Sequence, residues 1–183
     1  MKRIGISGVP ASGKTTLARA LASALCGKLN VELINEYART YLFKYKSIDS
    51  IWEQIRVTEK QIELENNISD KTDIIITDSP IYLGFVFSMD IVNFNRDKDI
   101  LAYNDLFNKL SLLNNRYDYI FHLCPVIDPL KDKVRPDLHY DQEWRDRTNS
   151  IILSVFNFFG QKNIVVISNK DINDRVAICL KYL

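Results

Sequence analysis

The sequence predicts an α/β fold in which one parallel β-sheet lies between two layers of helices. Over 183 residues, five short runs rich in β-branched residues alternate with five longer segments of helical character. The third run, residues 73–78, contains three consecutive isoleucines, which is typical of a strand buried on both faces. Strands that alternate with helices of this length form parallel βα units, so we expect a three-layer sandwich.

The predicted elements follow one another from end to end of the chain. The strands are expected at residues 4–6, 31–34, 73–78, 119–123 and 164–167. The helices are expected at residues 14–25, 48–68, 97–114, 141–159 and 172–183. No repeat, linker or charge block divides them, so we predict a single domain over residues 1–183, slightly larger than the usual size of ~100–150 residues.

Composition and charge exclude several classes of protein. Apolar residues make up 46% of the chain and charged residues 26%, which are ordinary globular values and exclude a disordered chain. The net charge is +1 and the pI is about 7.7, so the basic excess of a general duplex-DNA binder is missing. A local basic patch stays compatible with these values.

The termini and cysteines favour a cytoplasmic protein without a membrane segment. Residues 1–10 lack a long apolar region with a cleavage site, and no stretch approaches the ~18 apolar residues of a membrane span. Cys26, Cys124 and Cys179 are scattered and odd in number, which is typical of reduced, buried thiols in the cytosol. With two histidines and no Cys/His cluster, the sequence offers no zinc template.

A phosphate-binding motif directly follows the first predicted strand. Residues 8–15 read GVPASGKT and match GxxxxGK[ST] at every fixed position. Glycines let such a loop wrap a phosphate closely, and the helix that follows adds its N-terminal dipole. We expect Lys14 to reach the β- and γ-phosphates of ATP, Thr15 to offer a hydroxyl to Mg²⁺, and Thr16 to contact the α-phosphate. The predicted nucleotide-binding residues are Gly8, Ala11, Ser12, Gly13, Lys14, Thr15 and Thr16.

The motif occurs in small kinases and in small GTPases, and the rest of the sequence favours a kinase. A GTPase needs DxxG after a strand, but Asp78 is followed by Ser-Pro-Ile. A GTPase also needs NKxD near its end, and in residues 169–172, which read NKDI, the acid stands one position early.

Acidic residues follow two of the predicted strands, where ligands of open α/β sheets bind. Asp78 ends the third strand and is placed to hold Mg²⁺ or to accept a proton. Glu36 follows the second strand and is a candidate base for an attacking hydroxyl. Arg39 lies one helical turn further on and is a candidate contact to phosphate or substrate. The alternative roles are a helix cap for Asp78 and a solvated helix-start carboxylate for Glu36.

Cations that follow the fourth strand predict a lid over residues 125–147. Lys131, Lys133 and Arg135 lie between Pro125 and the next helix, which adds Arg145 and Arg147. Phosphoryl transfer requires charge neutralisation and exclusion of water, which a basic lid supplies. Arg135 is the best single candidate for a charge clamp on the transferred phosphoryl group.

The helix predicted at residues 48–68 carries candidate contacts to an acceptor. Gln54 and Gln61 are seven residues apart and so lie on similar faces of a helix. An amide can bind the edge of a base, and Trp52 or Tyr41 could stack on a ring. Surface amides and a core aromatic residue explain the same pattern equally well.

Taken together, these motifs resemble the P-loop nucleoside-type kinases. GVPASGKTT, EYAR after the second strand, DSP after the third and an Arg-bearing segment after the fourth are most similar to the ribosylnicotinamide kinase domain of bifunctional NAD-biosynthesis proteins and the small AAA-labelled ATPases grouped with it. In that group a Glu-Tyr-x-Arg stretch matches Glu36, Tyr37 and Arg39. An Asp-Gly-x-Arg lid is echoed by residues 132–135, with Lys133 in place of Gly.

Deoxynucleoside kinases are a looser parallel. Their base is a Glu after the second strand, which corresponds to Glu36, and their third strand ends in acid-Arg-Ser, whereas residues 78–80 here read Asp-Ser-Pro. The resemblance implies a parallel sheet of order 2-3-1-4-5, a P-loop NTPase fold with a lid, ATP with Mg²⁺, and a hydroxyl-bearing acceptor of nucleoside size.

The sequence therefore predicts an ATP-dependent kinase acting on a small nucleoside-like or nucleotide acceptor. The predicted catalytic residues are Lys14, Glu36, Asp78 and Arg135, the substrate contacts are Glu36, Arg39, Trp52 and Gln61, and the metal ligands are Thr15 and Asp78. Two alternatives stay open: a polynucleotide 5′-hydroxyl kinase, and a nucleotide-gated switch that hydrolyses ATP slowly. The acceptor and the oligomeric state are not specified by the sequence.

Overall fold

A five-stranded, all-parallel sheet of order β2-β3-β1-β4-β5 forms the centre of the protein in a computed structural model, which describes residues 1–126, 139 and 141–183. The strands are β1 (Lys2–Gly8), β2 (Val31–Ile34), β3 (Ile74–Asp78), β4 (Tyr119–Leu123) and β5 (Ile164–Ile167). The helices are α1 (Lys14–Leu25), α2 (Tyr37–Tyr45), α3 (Ile51–Asn66), α4 (Leu83–Ser88), α5 (Asp97–Ser111), α6 (Gln142–Phe158) and α7 (Ile172–Leu180). The predicted fold class and strand order are confirmed.

Alternate residues of the central strands feed two separate cores, one on each face of the sheet. Ile4 and Ile6 of β1 pack with Leu17 and Leu21 of α1 and with Cys179 of α7. The opposite face buries side chains from α3 to α6 against β4. Burial of each large aliphatic side chain contributes roughly 1.5–3 kcal/mol, so the two cores hold the helices on their faces of the sheet.

Local signals in the sequence explain where the long helices begin. Ser50 caps α3 through a capping box: its hydroxyl accepts from the Glu53 backbone N–H, and the Glu53 carboxylate accepts from the Ser50 N–H. At the starts of α6 and α7, the carboxylates of Asp141 and Asp171 accept hydrogen bonds from backbone N–H groups of the first turn. Two short helices, α2 and α4, were not among the predicted elements.

The three cysteines differ in their surroundings. Cys179 is buried and Cys124 is partly buried, but Cys26 is exposed. The expectation of a buried thiol is therefore wrong for Cys26, because this residue follows the last turn of α1, where the chain leaves the core.

Within the described ranges 1–126, 139 and 141–183, none of the helices has the length and apolar character that crossing a membrane requires.

Candidate active site

The loop between β1 and α1 holds a backbone conformation that few sequences allow. Gly8, Ala11 and Gly13 have φ angles of 143°, 60° and 94°. A Cβ atom at Gly8 would lie 2.6 Å from the Ser12 hydroxyl oxygen and 2.7 Å from the Leu123 carbonyl oxygen, so only glycine fits. Loops of this kind turn successive N–H groups toward one concave side, which suits an anion.

Lys14, the first residue of α1, folds its side chain back onto this loop. Its Nζ donates hydrogen bonds to the carbonyl oxygens of Gly8 at 3.0 Å and Val9 at 3.1 Å, and the side chain is buried. Burial of an ammonium group is costly unless polar or anionic groups surround it. The structure thus holds a positive charge at the loop that the motif assigns to phosphate. Thr16 lies exposed in the same turn of α1.

Thr15 and Asp78 meet at the carboxyl end of the sheet. The Thr15 hydroxyl donates a 2.6 Å hydrogen bond to Asp78 Oδ2. Asp78 is the last residue of β3 and is only 2% exposed, and its Oδ1 has no hydrogen-bond partner within the described residues. A hydroxyl beside a buried carboxylate with a spare oxygen is a donor set that suits a hard cation such as Mg²⁺.

The surroundings of Asp78 favour its neutral form. Burial raises the pKa of Asp78 above its ordinary value, and the nearby charge of Glu36 raises it further. Lys14, the Thr15 hydrogen bond and Arg39 lower the pKa, but they do not outweigh burial. Because burial disfavours the charge of this carboxylate, a cation bound beside it would offset an existing cost.

Glu36 lies at the start of α2, and its side chain does not cap the helix. It occupies the N-cap position but makes no side-chain capping hydrogen bond. Glu36 lines the same cleft as Ser79, the neighbour of Asp78 in the chain, and its charge raises the pKa of Asp78. Arg39, exposed on α2, lowers that pKa. The second and third strands therefore bring the two predicted acids to one region.

A cleft lined by Ser79, the residue that follows Asp78, encloses about 330 Å³ of empty space, part of it open to solvent. Glu36 stands at this cleft together with the carboxyl end of β3 and the facing sides of α3 and α4. At Gly84 of α4, a Cβ atom would lie 2.1 Å from the Thr58 hydroxyl of α3, so the two helices touch there. The other lining residues are Ala38, Gln54, Val57, Gln61, Pro80, Ile81, Leu83 and Phe87.

The two glutamines of α3 both line this cleft. Gln61 Oε1 accepts a 2.8 Å hydrogen bond from the Tyr37 backbone N–H, which fixes the orientation of the amide. The Gln61 Nε2 is buried and has no partner within the described part of the chain. Gln61 therefore has donor capacity left beside the cleft.

Other sequence-predicted residues do not meet there. Trp52 does not line the cleft, and its side chain is 48% exposed on α3. Arg145 is fully buried on α6, whereas Arg147 is exposed. Arg135, together with Lys131 and Lys133 of the predicted lid, lies outside the described residues.

Two residues at the site were not predicted from the sequence. Ser79 adopts a left-handed backbone (φ 71°) directly after Asp78, and its buried hydroxyl has no partner in the described ranges. Strain of this kind in a non-glycine residue is concentrated at functional sites. Arg175 of α7 is buried against the phosphate loop. The Asp-Ser-Pro triplet includes Ser79 and could have indicated it, but no sequence motif includes Arg175.

A family model described as an AAA domain matches residues 3–175. The chain therefore belongs to this AAA domain family, whose match extends from β1 into α7 and includes the phosphate loop, Glu36 and Asp78. No curated protein sequence matches the chain.

Solved structures show the same P-loop nucleotide-kinase-like fold. The NadR protein in complex with NR has a TM-score of 0.75 at 19% identity over 99% of this chain, and NadR in complex with NAD and AMP-PNP has a TM-score of 0.73, also at 19% identity over 99%. The chain spans about half of NadR, 51% and 49% of the respective chains.

Two smaller kinases match over most of their own length. Deoxyadenosine kinase from M. mycoides, with products dcmp and dcdp bound, has a TM-score of 0.67 at 19% identity over 98% of this chain and 96% of its own. Thymidylate kinase from Candida albicans has a TM-score of 0.64 at 20% identity over 98% and 89%. The resemblance predicted from the motifs is confirmed at the level of the fold.

Proposed function

We propose that this protein is a cytoplasmic, single-domain kinase that uses Mg²⁺ and transfers the γ-phosphoryl group of ATP to a hydroxyl of a small nucleoside-like or nucleotide acceptor. The observation that carries the proposal is the position of the cleft. Glu36 and Ser79 line the cleft, and Asp78, the residue before Ser79, accepts the hydrogen bond of Thr15 next to the phosphate loop. A donor phosphate on the loop and an acceptor in the cleft would therefore meet at one pair of carboxylates.

The donor side is formed by the loop and the first turn of α1. The loop N–H groups would surround the phosphates, and Lys14, already held at the loop, would neutralise their charge. Thr15 and Asp78 would hold Mg²⁺, which supplies neutralisation of the charge on the phosphate oxygens. Asp78 Oδ1, which lacks a hydrogen-bond partner among the residues that the structure describes, supports this assignment.

The acceptor side is formed by Glu36 and the α3–α4 cleft. The acceptor oxygen would attack the γ-phosphorus, its proton would pass to Glu36, and the bond to the β–γ bridging oxygen would break to release ADP. The Glu36 carboxylate lines the cleft and is not used to cap α2. Gln61 would orient the acceptor through its Nε2–H groups, which have no partner among residues 1–126, 139 and 141–183. We propose Arg39 and Arg135 as contacts to the transferred phosphoryl group.

The proposal is tested by incubating the protein with γ-labelled ATP, Mg²⁺ and one acceptor at a time. The panel comprises nucleosides, nicotinamide riboside, nucleoside monophosphates, 5′-hydroxyl oligonucleotides and a reaction without acceptor. We expect label on a nucleoside or a monophosphate. Label on oligonucleotides alone would instead identify a polynucleotide kinase, and release of inorganic phosphate independent of every acceptor would identify an ATP-hydrolysing switch.

Two variants assign the roles within an active protein. Lys14→Ala should abolish transfer and leave the fold intact. Glu36→Gln should lower kcat by ~10²–10⁴-fold with ATP affinity retained, since general-base catalysis contributes about that much. Glu32→Gln, on β2 and outside the cleft lining, is the matched control and should behave as wild type. Wild-type turnover in Glu36→Gln would remove this residue from the mechanism.

A further inference from the structure

Arg175 connects α7 to the back of the phosphate loop. Its side chain is 1% exposed, and its Nη1 donates a 2.9 Å hydrogen bond to the carbonyl oxygen of Ser12. Its Nε donates a 2.7 Å hydrogen bond to the carbonyl oxygen of Asn169, in the turn between β5 and α7. One guanidinium thus bridges two segments that lie 157 residues apart, from 12 to 169.

The Ser12 carbonyl belongs to a peptide group within the phosphate loop, between β1 and α1. Ser12 C=O and Gly13 N–H share one planar trans peptide, so they point in opposite directions. A donor that holds the carbonyl outward therefore turns the Gly13 N–H inward, toward the concave side of the loop. Gly13 has a φ of 94°, a conformation that a peptide of free orientation would easily leave.

The charge of Arg175 has no acidic partner in the part of the chain that the structure describes. Both of its hydrogen-bond acceptors are neutral carbonyls, and its Nη2 is buried without a partner. Burial lowers the pKa of Arg175 from its ordinary value because it removes the charge from water, and Cys124 opposes this effect without outweighing it. A buried arginine that serves only the fold is normally paired with a carboxylate, because an unpaired charge in a core lowers the stability of the protein.

We infer that Arg175 is a positioning residue for nucleotide phosphate: it fixes the Ser12–Gly13 peptide so that the Gly13 N–H faces the phosphate, and its buried charge complements the anion from behind the loop. The inference rests on the proposed function, in that it requires a nucleotide phosphate on the loop. It assigns to α7 a part in binding that neither the motif nor the cleft indicates. Arg175 itself contacts only the protein.

The test measures binding of Mg·ATP, inorganic tripolyphosphate and AMP by calorimetry. Wild type is compared with Arg175→Met, Arg175→Lys and the control Arg19→Met, which removes an exposed arginine from α1. We expect Arg175→Met to weaken ATP and tripolyphosphate by on the order of 10- to 100-fold and AMP by much less, because the interaction lost involves a charged group. Lysine keeps the charge but cannot donate both hydrogen bonds of the guanidinium, so the ATP affinity of Arg175→Lys should lie between those of wild type and Arg175→Met. Arg19→Met should bind as wild type.

A second readout separates positioning from general support of the fold. The backbone amide resonance of Gly13 should shift when tripolyphosphate binds to wild type, and this shift should be smaller in Arg175→Lys. The lysine variant allows this measurement even if Arg175→Met does not fold. Equal weakening of ATP and AMP with an unchanged Gly13 shift would overturn the inference, as would unaltered ATP binding in both variants.

The outcomes also separate this inference from the proposed function. If the variants lose ATP affinity as expected but wild type phosphorylates no acceptor, the kinase proposal fails and the role of Arg175 stands. If wild type transfers phosphate and Arg175→Met binds ATP normally, only the role of Arg175 fails. If wild type binds neither ATP nor tripolyphosphate, both fail.

Discussion

His122 should make the stability of this protein depend on pH between 7 and 4. It lies on β4, fully buried, next to the phosphate loop. Its partners fit a neutral ring in which Nε2–H donates to Asn149 Oδ1 at 2.8 Å and the Ser7 hydroxyl donates to Nδ1 at 3.2 Å. Burial lowers the pKa of His122 to about 4, with a further lowering by the charge of Lys14 and an opposing effect of Asn149.

The size of the effect follows from the two protonation equilibria. The unfolded chain protonates His122 below a pKa of about 6.5, whereas the folded chain does so only below about 4. Acid therefore favours the unfolded state, and the stabilisation is complete above the unfolded pKa and lost as pH falls toward 4. At ~1.36 kcal/mol per pKa unit the whole contribution is roughly 3 kcal/mol, of which about 2.5 kcal/mol is lost between pH 7 and 4.5.

The assay is urea unfolding of wild type, His122→Gln and His139→Gln at pH 7 and at pH 4.5. His139 is the only other histidine in the sequence, so its variant is the matched control. Comparing the pH dependence of each variant with that of wild type cancels the contributions of other titrating groups. We expect His122→Gln to lose about 2.5 kcal/mol less than wild type over this range, and His139→Gln to keep most of the wild-type loss.

If wild type and His122→Gln lose the same stability between the two pH values, His122 titrates alike in the folded and unfolded states. The buried neutral ring would then not be a source of acid sensitivity. A lower stability of His122→Gln at both pH values alike would report lost packing and leave the pH difference as the deciding quantity.

Two further substitutions test the electrostatics of the fold. Asp78→Asn should abolish transfer and raise Tm at pH 7. Because the pKa of Asp78 is raised in the folded state, its contribution to stability is lost as pH rises through that pKa, whereas an amide cannot ionise. An unchanged or lower Tm would contradict this expectation. Glu65→Ala should cost roughly 3–5 kcal/mol in chemical unfolding, because fully buried Glu65 holds Arg116 Nε at 2.8 Å and the alanine leaves that charge without its partner. Glu63→Ala, which removes an exposed ion pair, should cost less than about 1 kcal/mol, and equal losses for the two variants would refute the distinction.

The sequence was sufficient for the sheet and the phosphate loop because both have strong local signatures. Residues 74–76 are three consecutive isoleucines, which favours burial on both faces, and the loop glycines follow a spacing that the backbone geometry demands. The strand order confirmed here came from the resemblance to kinases, since periodicity carries no information on which strands are neighbours.

The two short helices could not be predicted for opposite reasons. All nine residues of α2 are at least partly exposed, so it has no apolar stripe to reveal a helical period. The sequence of α4, LGFVFS, is apolar all round and only six residues long, which looks the same as a buried strand. Both helices border the cleft, so its shape was also beyond the reach of the sequence.

Single side chains were harder to place than elements. Gln54 and Gln61 share a face because seven residues make nearly two helical turns, and this geometry is independent of context. Trp52 of the same helix is 48% exposed and outside the cleft lining, so its stacking on an acceptor ring stays a prediction. Arg175 carries no local signal, because its contact with Ser12 depends on how α7 packs beside α1.

The central claim is that a donor phosphate on the loop and an acceptor in the cleft meet at Asp78 and Glu36. Its most direct test is the fate of the γ-label in single reactions of wild type and Glu36→Gln with ATP, Mg²⁺ and the best acceptor of the panel. The proposed function predicts that wild type places the label on the acceptor hydroxyl, and that Glu36→Gln does so ~10²–10⁴ times more slowly with unchanged ATP affinity. Label found only in inorganic phosphate, at a rate indifferent to acceptor and to Glu36, would contradict it.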